Sequence, residues 1–168
     1  MEWAEGKNVA WKVALPGDGK STPVVWRDLI LLSAALPFEK KLRFVVLALG
    51  RADGKVRWSR TLREEVPHEG AHQDGSFAAG SLLTDGTRIY AFLGSRGLYA
   101  LDLEGRVLWE KDLGRMHTRS AFGEGASPAL YGDSLVVNWD HEEADFVAAY
   151  DAKTGQQRWR TERDEPTT

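Results

Sequence analysis

The chain contains no cysteine, which excludes disulfides, thiolate metal sites and cysteine nucleophiles while leaving the cellular compartment open. It also lacks any apolar run approaching the roughly 20 residues that a membrane-spanning helix needs. Neither sign of charge dominates, since 22 basic and 25 acidic residues are interspersed and the net charge is −3. Without a basic stripe there is nothing to track a phosphate backbone, so no nucleic-acid partner and no membrane span are expected. The opening MEWAEGKNVAWK has no apolar centre like that of a signal peptide, so this form is expected to carry no export signal. Helical periodicity is missing too, because apolar residues alternate or come in short bursts broken by Gly and Pro.

What is present is a repeat. The 168 residues, 42% hydrophobic and 28% charged, suit one globular domain. Three segments align without gaps: VLALGRADGKVRWSRTL from Val46, GLYALDLEGRVLWEKDL from Gly97 and VAAYDAKTGQQRWRTER from Val147. In each, an apolar run leads to a polar turn with Gly54, Gly105 or Gly155, and four residues later stands Trp58, Trp109 or Trp159. Glycine supplies the positive φ of a tight hairpin turn, so each segment reads as strand, turn, strand. A partial copy, GKNVAWKVAL, puts Trp11 at the same position. Upstream of each complete copy lies another strand pair, TPVVWRDLILLS, GSLLTDGTRIYAFL or SPALYGDSLVVNW. The tryptophans thus recur every ~50 residues in units of four strands, a period that predicts propeller blades.

The expected fold is an all-β partial propeller: an orphan outer strand over 6–15, then four-stranded antiparallel blades over 22–62, 78–113 and 126–163, within a single 1–168 unit. Trp11, Trp58, Trp109 and Trp159 are assigned to packing between blades. The competing reading is a β-sandwich with coincidental tryptophans. Three blades should not close alone, since propellers use four to eight. Either the chain is a segment with raw faces at both ends, or two copies associate to complete a ring.

The stretches DAKTGQQRW, RADGKVRW and DLEGRVLW resemble the tryptophan-bearing repeats of the quinoprotein-like (PQQ-like) β-propellers, a group that includes quinoprotein alcohol dehydrogenases and the bacterial outer-membrane assembly propeller. NVAWKVALPG, SRGLYALDLEGRVLWEKDLGRMHTR, FGEGASPAL and VVNWDHE are similar to a bacterial subgroup of such repeat proteins, many of them exported. The resemblance implies a periplasmic or extracellular setting, further blades after RDEPTT and a further segment before EW. It also implies a cofactor face, but the quinone site depends on an adjacent-cysteine disulfide and a full ring. With no cysteine and three blades, no PQQ and no other cofactor is expected, leaving a transition metal such as zinc as the open alternative.

Two sets of residues attract chemistry. His68, Glu69 and His72 in VPHEGAHQDG spell H-E-x-x-H followed by x-x-G, the zinc-protease signature, in which two histidines one helical turn apart bind zinc while the Glu activates water. Gly70 and Gly75 oppose a helix, and Ala78 stands where the extended motif needs its third ligand. The stretch therefore reads as a connection between blades, and a metalloprotease is the remaining alternative enzyme class. The second set follows from the propeller itself. Blade-to-blade connections and the loops between second and third strands share a face, which gathers His68, His72, Asp74, His117, Arg119, Asp140 and His141, with Glu124 and Glu142 nearby. The bland reading is polar, solvated loops. The functional one is a ligand or metal face, with imidazole and carboxylate suiting zinc better than calcium and Arg119 able to clamp an anion. Trp139, beside Asp140 and His141, either lines a pocket or packs under the loop. The favoured role is a non-catalytic binding or scaffold module for a protein partner or small ligand, with a metal-dependent enzyme remnant as the alternative.

Overall fold

The computed structural model describes Glu2, Ala4 and residues 6–164, so the first residue of the predicted unit and its last four lie outside the described residues. Among the described residues, twelve strands form three four-stranded antiparallel sheets in which sequence neighbours pair. The first blade contains β1 (Val24–Trp26), β2 (Leu29–Phe38), β3 (Lys41–Gly50) and β4 (Val56–Glu65). The second contains β5 (Leu83–Thr84), β6 (Arg88–Phe92), β7 (Leu98–Asp102) and β8 (Val107–Lys111). The third contains β9 (Ala129–Tyr131), β10 (Ser134–Trp139), β11 (Asp145–Asp151) and β12 (Gln157–Arg163). This is the all-β partial propeller that the repeat predicts.

The middle strands explain why the blades stack. β2 and β3 are apolar on both faces, the pattern of strands covered on two sides, because successive side chains point to opposite faces of a sheet. Leu31, Phe44, Val46 and Ala48 cluster with Ile89, Ala91, Tyr99 and Leu101 of the second blade. The alternate residues of the second blade, Tyr90, Phe92, Leu98 and Ala100, cluster with Leu135, Val137, Phe146 and Ala148 of the third. Fully burying one such side chain is worth about 1.5–3 kcal/mol, so these two seams supply most of the cohesion between sheets. The outer strands β4, β8 and β12 are largely exposed and charged, which suits edges that face water.

The repeat tryptophans lock each seam at its rim. The indole Nε1 of Trp58 donates to Leu103 O at 3.0 Å and that of Trp109 to Ala152 O at 3.1 Å. Each ring lies on the turn glycine of the following blade, Trp58 on Gly105 and Trp109 on Gly155, where a Cβ would sit 2.8 Å from the ring. Those glycines have φ of +81° and +71°, so both the turn conformation and the close approach require glycine. Trp11 does the same to the first blade: its Nε1 donates to Arg51 O at 2.9 Å and its ring covers Gly54. Trp159, with no following blade in this chain, is 46% exposed. A second contact of this kind was not visible in the repeat: Trp26, at the end of β1, rests on Gly86 in the β5–β6 turn.

Two expectations are corrected. The outer strand over 6–15 forms no ladder among the described residues. The segment runs over the first blade as largely exposed chain, held by Trp11 and, just beyond it, by the Asp18–Ala35 bridge. The gapless alignment holds only from each turn onward. In the ladders Ala48, Ala100 and Ala149 face Trp58, Trp109 and Trp159, and Leu49↔Val56, Leu101↔Val107 and Tyr150↔Gln157 close the hairpins. The second blade's turn is therefore one residue shorter than the other two.

Candidate functional site

The connection from β4 to β5, the connection from β8 to β9, the β6–β7 turn and the β10–β11 loop meet on one side of the stack. Their hub is the backbone of Met116 to Thr118. Met116 N donates to Ser95 Oγ at 2.7 Å and Met116 O accepts from His68 Nε2 at 2.7 Å. His117 O accepts from Glu142 N at 3.0 Å, and His117 N donates to His141 Nδ1 at 3.4 Å. Thr118 N and Oγ1 donate to Glu69 Oε1 at 3.1 and 2.7 Å. All three blades thus grip one short segment.

Beneath the hub lies a buried ion network. The Arg96 side chain is 2% exposed; its Nη1 donates to Glu124 Oε1 at 2.7 Å, and its Nε lies 3.2 Å from Glu65 Oε1 without hydrogen-bond alignment. Its guanidinium sits 5.0 Å from the Phe44 ring centre and 5.6 Å from that of Phe77. The other Glu124 oxygen accepts from Ser95 N at 2.5 Å, and the carboxylate occupies the space where Gly94 would carry a Cβ. Burial, reinforced by the negative field of Glu110, pushes the Tyr99 phenol up to about 12, so it stays protonated and donates to Arg96 O at 2.5 Å. Arg96 and Glu65 were missed in the sequence. The available signal was an arginine inside AFLGSRGLYAL, where an apolar run on both sides announces a buried charge that needs partners.

The residues singled out by sequence separate into groups. HEGAH is not helical; it lies in the connection between β4 and β5. His68 and His117 come together, their ring centroids 5.7 Å apart and edge to face, with Glu69 Oε2 3.8 Å from His117 Nδ1. His72 does not join them: its Nδ1 accepts from Asp74 N at 3.1 Å and its ring lies against Phe122. Asp74 points outward, and its carbonyl accepts from Lys20. His141 is buried, its N–H donating to Asp145 Oδ1 at 2.7 Å. Trp139 stacks on Phe146 at 5.5 Å and is buried under the loop, which decides its case in favour of packing. Arg119 and Asp140 line an open cleft of about 450 Å³ with Thr118, Phe122, His141 and Glu142.

A family model described as outer membrane protein assembly factor BamB matches residues 2–168. No curated protein matches the chain. Similar solved structures include a quinohemoprotein alcohol dehydrogenase, ADHIIG, from Pseudomonas putida HK5 (23% identity, TM-score 0.61, covering 90% of this chain and 22% of that one). A europium-containing methanol dehydrogenase has 16% identity and a TM-score of 0.62 over 99% of this chain and 30% of that one. BamB from Moraxella catarrhalis has 16% identity and a TM-score of 0.58, covering 94% of this chain and 43% of that one. At these identities the likeness is one of fold, and the chain spans less than half the length of each neighbour.

Proposed function

The chain belongs to the PQQ-like β-propeller repeat family whose model is described as outer membrane protein assembly factor BamB, and from that membership we propose that it is a non-catalytic binding module whose loop face holds a protein partner. The observation that carries this reading is Phe122. It is 59% exposed at the lip of the cleft, beside Arg119, at the end of a turn in which Ser120 and Ala121 both have φ of +52°. Positive φ at two successive residues other than glycine costs about 1–3 kcal/mol each, and here it holds an aromatic ring that leans on His72 yet stays more than half exposed. An aromatic anchor next to an arginine, on a platform clamped by three blades, has the composition of a protein-binding hot spot.

The same face gives little support to catalysis. Its acidic groups are mostly taken up internally, Glu124 by Ser95 and Arg96 and Glu69 by Thr118. The cleft lining, with Asp140 and Glu142 against Arg119, is poorly suited to a quinone that carries several carboxylates. The HEGAH stretch lacks the helix that would aim His68 and His72 at one metal.

A photo-crosslinking residue at position 122, compared with one at Val56 on β4, tests the reading in cells that make the protein. The expected result is a discrete protein adduct from position 122 alone, whose purified partner binds at least about tenfold more weakly to Phe122→Ala. Equal adducts from both positions, or unchanged affinity of the variant, would refute it.

A further inference from the structure

We propose that His68, Glu69 and His117 form a binding site for one divalent transition metal of the zinc class, joining the β4–β5 connection to the β8–β9 connection. One ligand atom from each residue lies within 4.8 Å of the other two. The independent observation is the state of His68. Its side chain is only 9% exposed, and its Nε2–H is donated to the Met116 carbonyl, which accepts and cannot donate. That bond fixes the proton on Nε2 and leaves the lone pair on Nδ1, which is buried without any hydrogen-bond partner. A buried imidazole lone pair with nothing to accept is uncommon, because leaving it so costs about 1–3 kcal/mol. A cation bound to Nδ1 removes that cost.

The other two ligands are held in the manner of a metal site. Thr118 Oγ1 and N hold Glu69 Oε1 at 2.7 and 3.1 Å, and Thr118 N also reaches Oε2 at 3.4 Å, the oxygen that lies 3.8 Å from His117 Nδ1. Outer partners of this kind, a carbonyl on the far nitrogen of a histidine and donors on a carboxylate, orient metal ligands and set their basicity. Two imidazoles and one carboxylate suit zinc or its transition-metal neighbours, while calcium and magnesium take all-oxygen shells. The His117 side chain is 56% exposed, so a fourth position opens to water or to a partner's side chain. The zinc-protease spelling is not the arrangement that this site uses. Its first two letters, His68 and Glu69, are ligands, and the second histidine comes from the next connection instead of from His72. The metal would pin together the two connections that carry the loop face, and its site stands whether or not that face binds a protein.

Zinc titration by calorimetry, on the full chain purified without a histidine tag or chelator, tests the site with no partner present. Saturation at one zinc per chain is expected, with Ca²⁺ failing to compete. His117→Ala and Glu69→Gln should each weaken binding by at least the roughly tenfold that even an outer-shell change costs, and His72→Ala should leave it unchanged. Nitrogen NMR of the wild-type histidines gives a readout free of variant misfolding: His68 Nδ1 should be unprotonated in the metal-free chain and shift on adding zinc. Failure to take up stoichiometric zinc, uptake that survives His117→Ala, uptake lost in His72→Ala, or a protonated and unresponsive His68 Nδ1 would each overturn the proposal.

Discussion

Replacing Gly105 by alanine isolates the contact that joins one blade to the next. Gly105 has φ of +81°, which costs an L-residue about 1–2 kcal/mol. The new methyl would also sit 2.8 Å from Trp58 Cε3 and 3.0 Å from Cδ2, far inside van der Waals contact. Overpacking of that kind adds about 1–3 kcal/mol, because the indole is tied by its hydrogen bond to Leu103 O and cannot slide away freely. Gly132, in the β9–β10 turn, is the matched control: its φ is +57°, with nothing within 4 Å of a built Cβ. Gly132→Ala should therefore carry only the backbone cost. The excess of about 1–3 kcal/mol in Gly105→Ala corresponds to roughly 2–12 °C in Tm for a chain of this size. Urea unfolding followed by tryptophan fluorescence measures both variants. Adding Trp58→Leu to Gly105→Ala should remove the excess, since the two residues share one contact and their effects cannot add. Equal losses at Gly105 and Gly132, or additivity with Trp58→Leu, would refute the reasoning.

Arg96→Met should destabilise the chain by about 3–5 kcal/mol, because it strips the buried Glu124 carboxylate of its arginine partner, while Glu65 keeps Arg63; a loss below about 1 kcal/mol in urea unfolding would contradict that network. At Asp85, burial opposes ionisation, but hydrogen bonds from Thr87, Tyr90 and Arg88 overcome it and hold the carboxyl well below its usual range. A depressed folded-state pKa gives stability that is present above the ordinary value of about 4 and is lost as pH falls through the lower one. Asp85→Asn should therefore cost about 1–3 kcal/mol at pH 7, with the difference narrowing below pH 4; a gap constant with pH would count against it. Trp109→Ala should cost about 3–5 kcal/mol and Trp159→Ala much less, since only Trp109 is covered by a following turn, and similar losses in thermal melts would refute the division.

The fold was legible because its governing signals are local and repeated. A turn glycine four residues before a tryptophan is enough to mark a hairpin, and three occurrences set the blade. The shorter turn of the second blade was not legible, because the residue count between Ala100 and Gly105 cannot be divided between strand and turn without the ladder. Nor was the contact of Trp26 with Gly86, which occurs once and so carries no period. For the site, topology assigns the four histidines to one set of loops, but only the chain's path around Met116 to Thr118 decides which of them meet. His72 is four residues from His68 and still accepts from Asp74 N, while His117 is a blade away and lies beside His68. Glu69 was visible only as a protease base, since nothing in sequence indicates that Thr118 turns its carboxylate toward His117.

The contact of tryptophan with glycine has a direction, and the direction constrains assembly. Each ring reaches forward to the turn of the following blade, so the stack has a donor face, carrying Trp159 and the exposed Tyr131, and an acceptor face at the Gly54 turn. Two copies could complete a ring only head to tail, with Trp159 of one seated on Gly54 of the other, because two donor faces have no glycine turn to offer each other. Yet Gly54 is already covered by Trp11 of its own chain, whose Nε1 also holds Arg51 O. A second copy would have to displace that hydrogen bond and ring contact to gain their equivalents, an exchange with little net driving force. The rim contact therefore offers self-association no gain, and only apolar burial of the kind that joins the blades could drive it. What the donor face does fit is a turn glycine that has no tryptophan of its own.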